Sequence, residues 1–172
     1  MPAASRLAAL SLLVLVCGCG ETQNAEVTGY RKSLLLNSEP TDTVTIEAAR
    51  KNIETQSDFA LIGKVGNKEI PQWWTEGQAT LIISEGSEGS HYNVSADHDP
   101  KTCPFCSRNW KTEDSMAFVE FHDAAGKIIP VDTKQLLNLK TGQEVVVRGT
   151  GKLDEDGLLV LIADGVFIRN PK

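Results

Sequence analysis

From residue 59 onward the apolar residues recur at every second position, and that period constrains the fold more than any other feature of the chain. Phe59, Leu61, Gly63 and Val65 alternate with Ala60, Ile62 and Lys64. Ala79 to Ile83 is a compact apolar run, and Met116 to Phe121 alternates again around Ala117, Val119 and Phe121. Successive side chains of a strand point to opposite faces, so this spacing predicts strands that turn one face to a core. Two longer strands are predicted over Glu144 to Gly151 and Leu158 to Arg169. They flank Asp154-Glu155-Asp156-Gly157, whose final glycine suits the positive φ of a hairpin turn. Lys127 to Val131, after the turn Asp123-Ala124-Ala125-Gly126, reads as a further short strand.

Helical spacing appears twice. Over Thr45 to Ile53, Thr45 is placed to accept from the first amides and Glu47 sits near the positive end. Ile46, Ala49 and Ile53 share one face, which is predicted to cover an end of the strand assembly. Lys134 to Leu139 reads as one or two helical turns ending before Thr141-Gly142. A mainly β chain of five to six strands, with one or two short helices, is most economically a small closed barrel, because closure removes exposed strand edges. A β-sandwich is the alternative. The stretch from Phe59 to Arg169 resembles an OB-like barrel, above all in Gly142-Gln143-Glu144-Val145-Val146-Val147-Arg148-Gly149 followed by Gly157 to Ile168. The resemblance implies a ligand face of the kind that takes oligonucleotides or oligosaccharides, yet the basic and aromatic residues such a face uses are sparse here. Pro71-Gln72-Trp73-Trp74 lies between the first two strands, and the expectation is one indole in the core and the other as its cap.

At the other end of the chain, Arg6 precedes the apolar run Leu7 to Val16, which is too short to span a bilayer and reads as the apolar part of an export signal. The run closes on Val16, Cys17, Gly18 and Cys19, which resembles the lipobox of bacterial lipoprotein signals. That resemblance implies cleavage before Cys19, a covalent lipid on Cys19, and an extracytoplasmic chain anchored to a bacterial membrane on its periplasmic side or at the cell surface. An ordinary secretory signal with incidental cysteines is the alternative, and it too exports the product. The expected organisation is a signal peptide over 1–18, a polar tether over 19–42 in which Leu34, Leu35 and Leu36 make a short apolar contact, and one OB-like domain over 43–172 with an insertion over 85–115. About 154 residues remain after the signal, enough for one core and not for two ordinary domains.

The formal charge is −6, and loss of residues 1–18 removes Arg6 and no acid. With no dense block of Lys and Arg, this argues against nucleic acid as a partner, since such binding draws its affinity from clustered cations. An envelope protein is the other partner to expect beside the membrane.

Of the four cysteines, Cys17 leaves with the signal and Cys19 is consumed by lipid, so Cys103 and Cys106 stand as a couple in an oxidising compartment. They lie in Asp97-His98-Asp99-Pro100-Lys101-Thr102-Cys103-Pro104-Phe105-Cys106, inside a polar stretch longer than a compact domain usually carries. Two thiolates three residues apart reach one ion, His98 and His91 offer further donors, and tetrahedral zinc accepts such a set. A fourth position is open to His91, His122, Asp97 or Asp99. A Cys103–Cys106 disulfide is the structural alternative, worth roughly 2 kcal/mol for so short a ring. A third reading is redox: Cys103-Pro104-Phe105-Cys106 is similar to the active-site C-P-x-C of glutaredoxin-like proteins, with Arg108 and Lys111 near to stabilise a thiolate. No βαβ unit precedes the motif and little amphipathic helix follows it. No nucleophile elbow, H-E-x-x-H or phosphate-cradling glycine loop is present, and Asp154 and Asp156 fall in a turn. The expectation is a non-catalytic, membrane-anchored binding module with a zinc site at His91, His98, Cys103 and Cys106.

Overall fold

A computed structural model describes residues 19–66, 71–85 and 115–169, with side chains from Ala25 onward. The elements are α1 (Cys19–Leu34), β1 (Thr43–Val44), α2 (Ile46–Asn52), β2 (Asp58–Val65), β3 (Trp74–Thr75), β4 (Gln78–Ser84), β5 (Met116–Phe121), α3 (Thr133–Leu137), β6 (Glu144–Leu153) and β7 (Leu159–Ile168). The period of two reads out directly as burial. Leu61 and Val65 of β2, Ala79, Leu81 and Ile83 of β4, and Ala117, Val119 and Phe121 of β5 are fully buried. Each strand therefore turns one continuous apolar face to a shared core, at about 1.5–3 kcal/mol for each large side chain removed from water.

The strands follow the order β1-β2-β6-β7-β5-β4-β3, and β2 also pairs with β4 through Lys64↔Ser84 and Val65↔Ile83. That last pairing closes β2, β6, β7, β5 and β4 into a five-stranded barrel and sets aside the sandwich alternative. β5 and β7 run parallel, so the chain must cross over between them, and α3 lies within that crossover. The result is the small OB-like barrel, with β1 and β3 as two-residue additions at its edges.

A bulge between Arg148 and Gly149 of β6 shifts the β7 register by one residue. Inward residues on β7 are Leu159, Leu161 and Ala163 before the shift and Val166 after it, with Asp164 as the extra, solvent-facing position. Glycine is required at 149, because a Cβ there would stand 2.2 Å from the Ile162 carbonyl oxygen.

α2 forms where its local signals place it. Thr45 is the N-cap and accepts from the Ala48 N–H at 3.2 Å, while Ile46 and Ala49 are both fully buried in the barrel core. Lys127 to Val131 does not form a strand. Asp123 Oδ1 accepts from the N–H groups of Ala125 and Lys127, pairing shrinks to the single bridge His122↔Ile128, and Pro130 has no N–H with which to continue. α3 starts one residue earlier than its spacing predicts, where the buried Thr133 donates from Oγ1 to the Thr80 carbonyl at 2.6 Å. It ends two residues earlier, at Asn138 in the left-handed region (φ 54°).

The lead before the barrel is helical over Cys19–Leu34 where sequence suggests a polar tether. The apolar contact read at its end is present, since Leu34 is buried in the core cluster.

Candidate functional site

The structure frames the insertion at its two ends. His91, His98, Cys103 and Cys106, with Asp97 and Asp99, lie outside the described residues, and Cys19 is placed only as the first backbone position of α1. Where β4 ends and β5 begins, Ser84, Glu85 and Ser115 are buried polar residues in a barrel whose interior is mostly aliphatic. The Glu85 N–H donates to the Ser115 carbonyl at 2.8 Å, which extends the β4–β5 ladder by one rung. Ser84 donates from Oγ to the Gly66 carbonyl at 2.8 Å. The Glu85 carboxylate accepts from the Glu47 N–H at 2.6 Å, inside the first turn of α2. The two ends of the insertion are thus joined to each other and to the helix that covers the barrel. Burying these groups without partners would cost about 1–3 kcal/mol each.

A second surface is the outer face of β4, β5 and β7, which in OB-like barrels is the face flanked by binding loops. The register aligns Ile82, Phe118, Val160 and Lys152 in one outward row and Thr80, Glu120, Ile162 and Thr150 in the next. Ile82, Phe118 and Ile162 are half-buried, and Thr80 and Val160 are buried. His122, one of the residues sequence offers for a fourth metal position, lies on this face with its Nε2 2.8 Å from Glu120 Oε2. Among the described residues no group of three or more His, Cys, Asp and Glu stands together to hold a metal ion. Sequence reasoning misses the Glu120–His122 couple. Its only signal there is the i, i+2 spacing on a strand, which places both side chains on one face.

The two indoles divide as expected. Trp73 is buried and donates from Nε1 to Thr141 Oγ1 at 2.9 Å, with Gly66 (φ 62°) pressed beneath its ring. Trp74 is half-buried, with the Lys134 ammonium 5.8 Å from its ring centroid. At the far end of β7, Arg169 donates from Nη1 to Glu144 at 2.9 Å and pairs through Nη2 with Glu39. The bond to Arg169 holds the Glu39 carboxyl below its ordinary value, and the bonds to Glu39 and Glu144 raise Arg169 further. Among the described residues no helix is long and apolar enough to cross a membrane.

No family model matches the chain, and no curated protein matches it. Among solved structures it is similar to the "putative aspartyl-tRNA synthetase from Leishmania major Friedlin", at 9% identity and a TM-score of 0.43, over 89% of this chain and 27% of that one. The chain thus spans about a quarter of that protein's length.

Proposed function

We propose that this chain is an extracytoplasmic lipoprotein, anchored through a lipid on Cys19, whose barrel serves as a non-catalytic binding module and whose insertion takes zinc at Cys103, Cys106, His98 and His91. The observation that carries this reading is the frame at Glu85 and Ser115. A long insertion on a small barrel has its ends stitched by a backbone hydrogen bond and a buried carboxylate, as a scaffold that presents a segment would. The donor set itself comes from sequence: two thiolates in a C-x-x-C spacing with two imidazoles upstream, in a chain whose other cysteines are accounted for by the signal and the lipid. Zinc there would order the segment and fix the surface it offers to an envelope partner.

Intact mass of membrane-extracted protein under non-reducing conditions tests the anchor, with acylation at Cys19 as the expected result. Metal analysis of anaerobically purified protein tests the zinc site. About one equivalent per chain is expected, lost in Cys103→Ser. A mass deficit of two hydrogens with no bound zinc would establish the Cys103–Cys106 disulfide in its place. If that pair is readily reduced and Cys103 forms its thiolate below neutrality, the module is a thiol–disulfide protein.

A further inference from the structure

The segment ahead of the barrel is fastened to it along much of its length. Arg31 donates from Nε to the Leu136 carbonyl at 2.6 Å and from Nη2 to the Gln135 carbonyl at 2.7 Å, satisfying the end of α3. Leu34 is buried, Leu35 bridges to Val166, and the Leu36 N–H donates to the Val166 carbonyl at 2.9 Å. The Leu36 side chain sits over Gly165, where a Cβ would come within 2.7 Å of its Cδ2, and Glu39 pairs with Arg169. A helix held at one end by so many contacts has a fixed direction. Followed from Leu34 back towards its start, α1 leaves Val166 and the end of α3 for a cleft of about 380 Å³ lined by Glu26, Val27, Tyr30, Glu76, Gly77 and Asp132. That cleft adjoins the Gln78 end of β4, whereas the insertion leaves from Ser84 at the other end, roughly 20 Å along the strand.

We infer that α1 is a rigid strut between the lipid and the barrel, which turns the Glu76–Gly77 end of β4 towards the bilayer and the Ser84–Ser115 end away from it. The inference rests on the lipid at Cys19 proposed above. The helical turns between Cys19 and Glu26 add about 10 Å of standoff at 1.5 Å per residue. A partner that meets the Ser84–Ser115 end therefore approaches from the aqueous side, and the lipid surface faces the end that holds the hairpin of β3 and β4 with Pro130 and Asp132 beside it. A flexible tether would impose neither distance nor direction.

The test uses the full lipidated chain in phosphatidylethanolamine–phosphatidylglycerol vesicles that carry a rhodamine lipid. A donor dye is attached through p-acetylphenylalanine, leaving the native cysteines untouched, at Glu76 or at Lys140. Both positions are exposed, and the turn after Lys140 joins the Ser84 end through the Gly142 N–H to Val65 carbonyl bond at 2.8 Å. Quenching roughly twofold stronger at 76 than at 140 is expected from the length of β4, and a Gly-Ser insertion between Asn24 and Ala25 should abolish the difference. Acylated protein with equal quenching at the two sites, or stronger quenching at 140, overturns the strut alone. Protein whose mass shows Cys19 unacylated overturns the anchor and the strut together.

Discussion

α1 and α2 are both helices laid on the same barrel, and they are held in opposite ways. α2 is short and carries its own instructions, with a threonine cap, an acidic first turn, basic residues in its last turn and an apolar face that fills the barrel end. α1 is longer and more polar, with a sparse apolar face of Val27, Tyr30 and Leu34, of which Leu34 alone is buried in the core cluster. It is secured by one arginine that reaches the carbonyls of another helix, by Val27 and Tyr30 packed against the core, and by Leu34 and Leu35 at its end. Short helices are marginal in water unless packing stabilises them, so α2 needs its core contact and α1 needs its docking contacts.

This contrast can be broken from either side. The largest effect is expected from Ile46→Ala, which empties a fully buried position beneath α2 and should cost about 2–5 kcal/mol in chemical denaturation. A loss below about 1 kcal/mol would mean the barrel end closes without α2. Arg31→Ala removes two side-chain hydrogen bonds to the end of α3 and should cost about 1–3 kcal/mol. Its distinguishing sign is faster proteolysis within α1, with β-sheet circular dichroism unchanged at moderate temperature. Thr45→Ala deletes the cap of α2 and should cost about 1 kcal/mol, while Thr45→Ser should restore most of it.

The smallest effect is the pH response of the strap between α1 and β1. The folded Glu39 carboxyl titrates below its ordinary value of 4.5, so its pairing with Arg169 contributes stability above that value and loses it as pH falls through the folded pKa. The Leu36 amide resonance should shift as acid releases the strap, and Glu39→Gln should flatten that titration. A titration unchanged by the substitution would place the strap's pH response elsewhere.

Much of the barrel is legible in the sequence, because Leu61, Leu81, Val119 and Val147 mark its inner face by parity alone. Gly157 takes the positive φ that its place in the last hairpin predicts, at 79°. β1 and β3 cannot be found this way. Each is two residues long and exists because a neighbouring strand offers an edge, which leaves no period to detect. The expected strand at Lys127 to Val131 fails for the reverse reason, since its apolar residues fit the pattern while the Asp123 turn and Pro130 leave it only one bridge. Of the candidate site, the insertion boundaries show in the loss of apolar alternation. The partners of Glu85 do not, because Glu47 and Ser115 reach it only after the chain folds.

The amino-acid sequence by itself determined the strand class, the position of α2 and the place where the barrel is interrupted, because each depends on periodicity or on contacts within a few residues. Tertiary structure alone decided that β2 closes on β4, that Arg31 of α1 docks on the end of α3 and that His122 pairs with Glu120 on an outer sheet face. Register, closure and docking join residues distant in sequence, and nothing in local spacing encodes which of many compatible surfaces will meet.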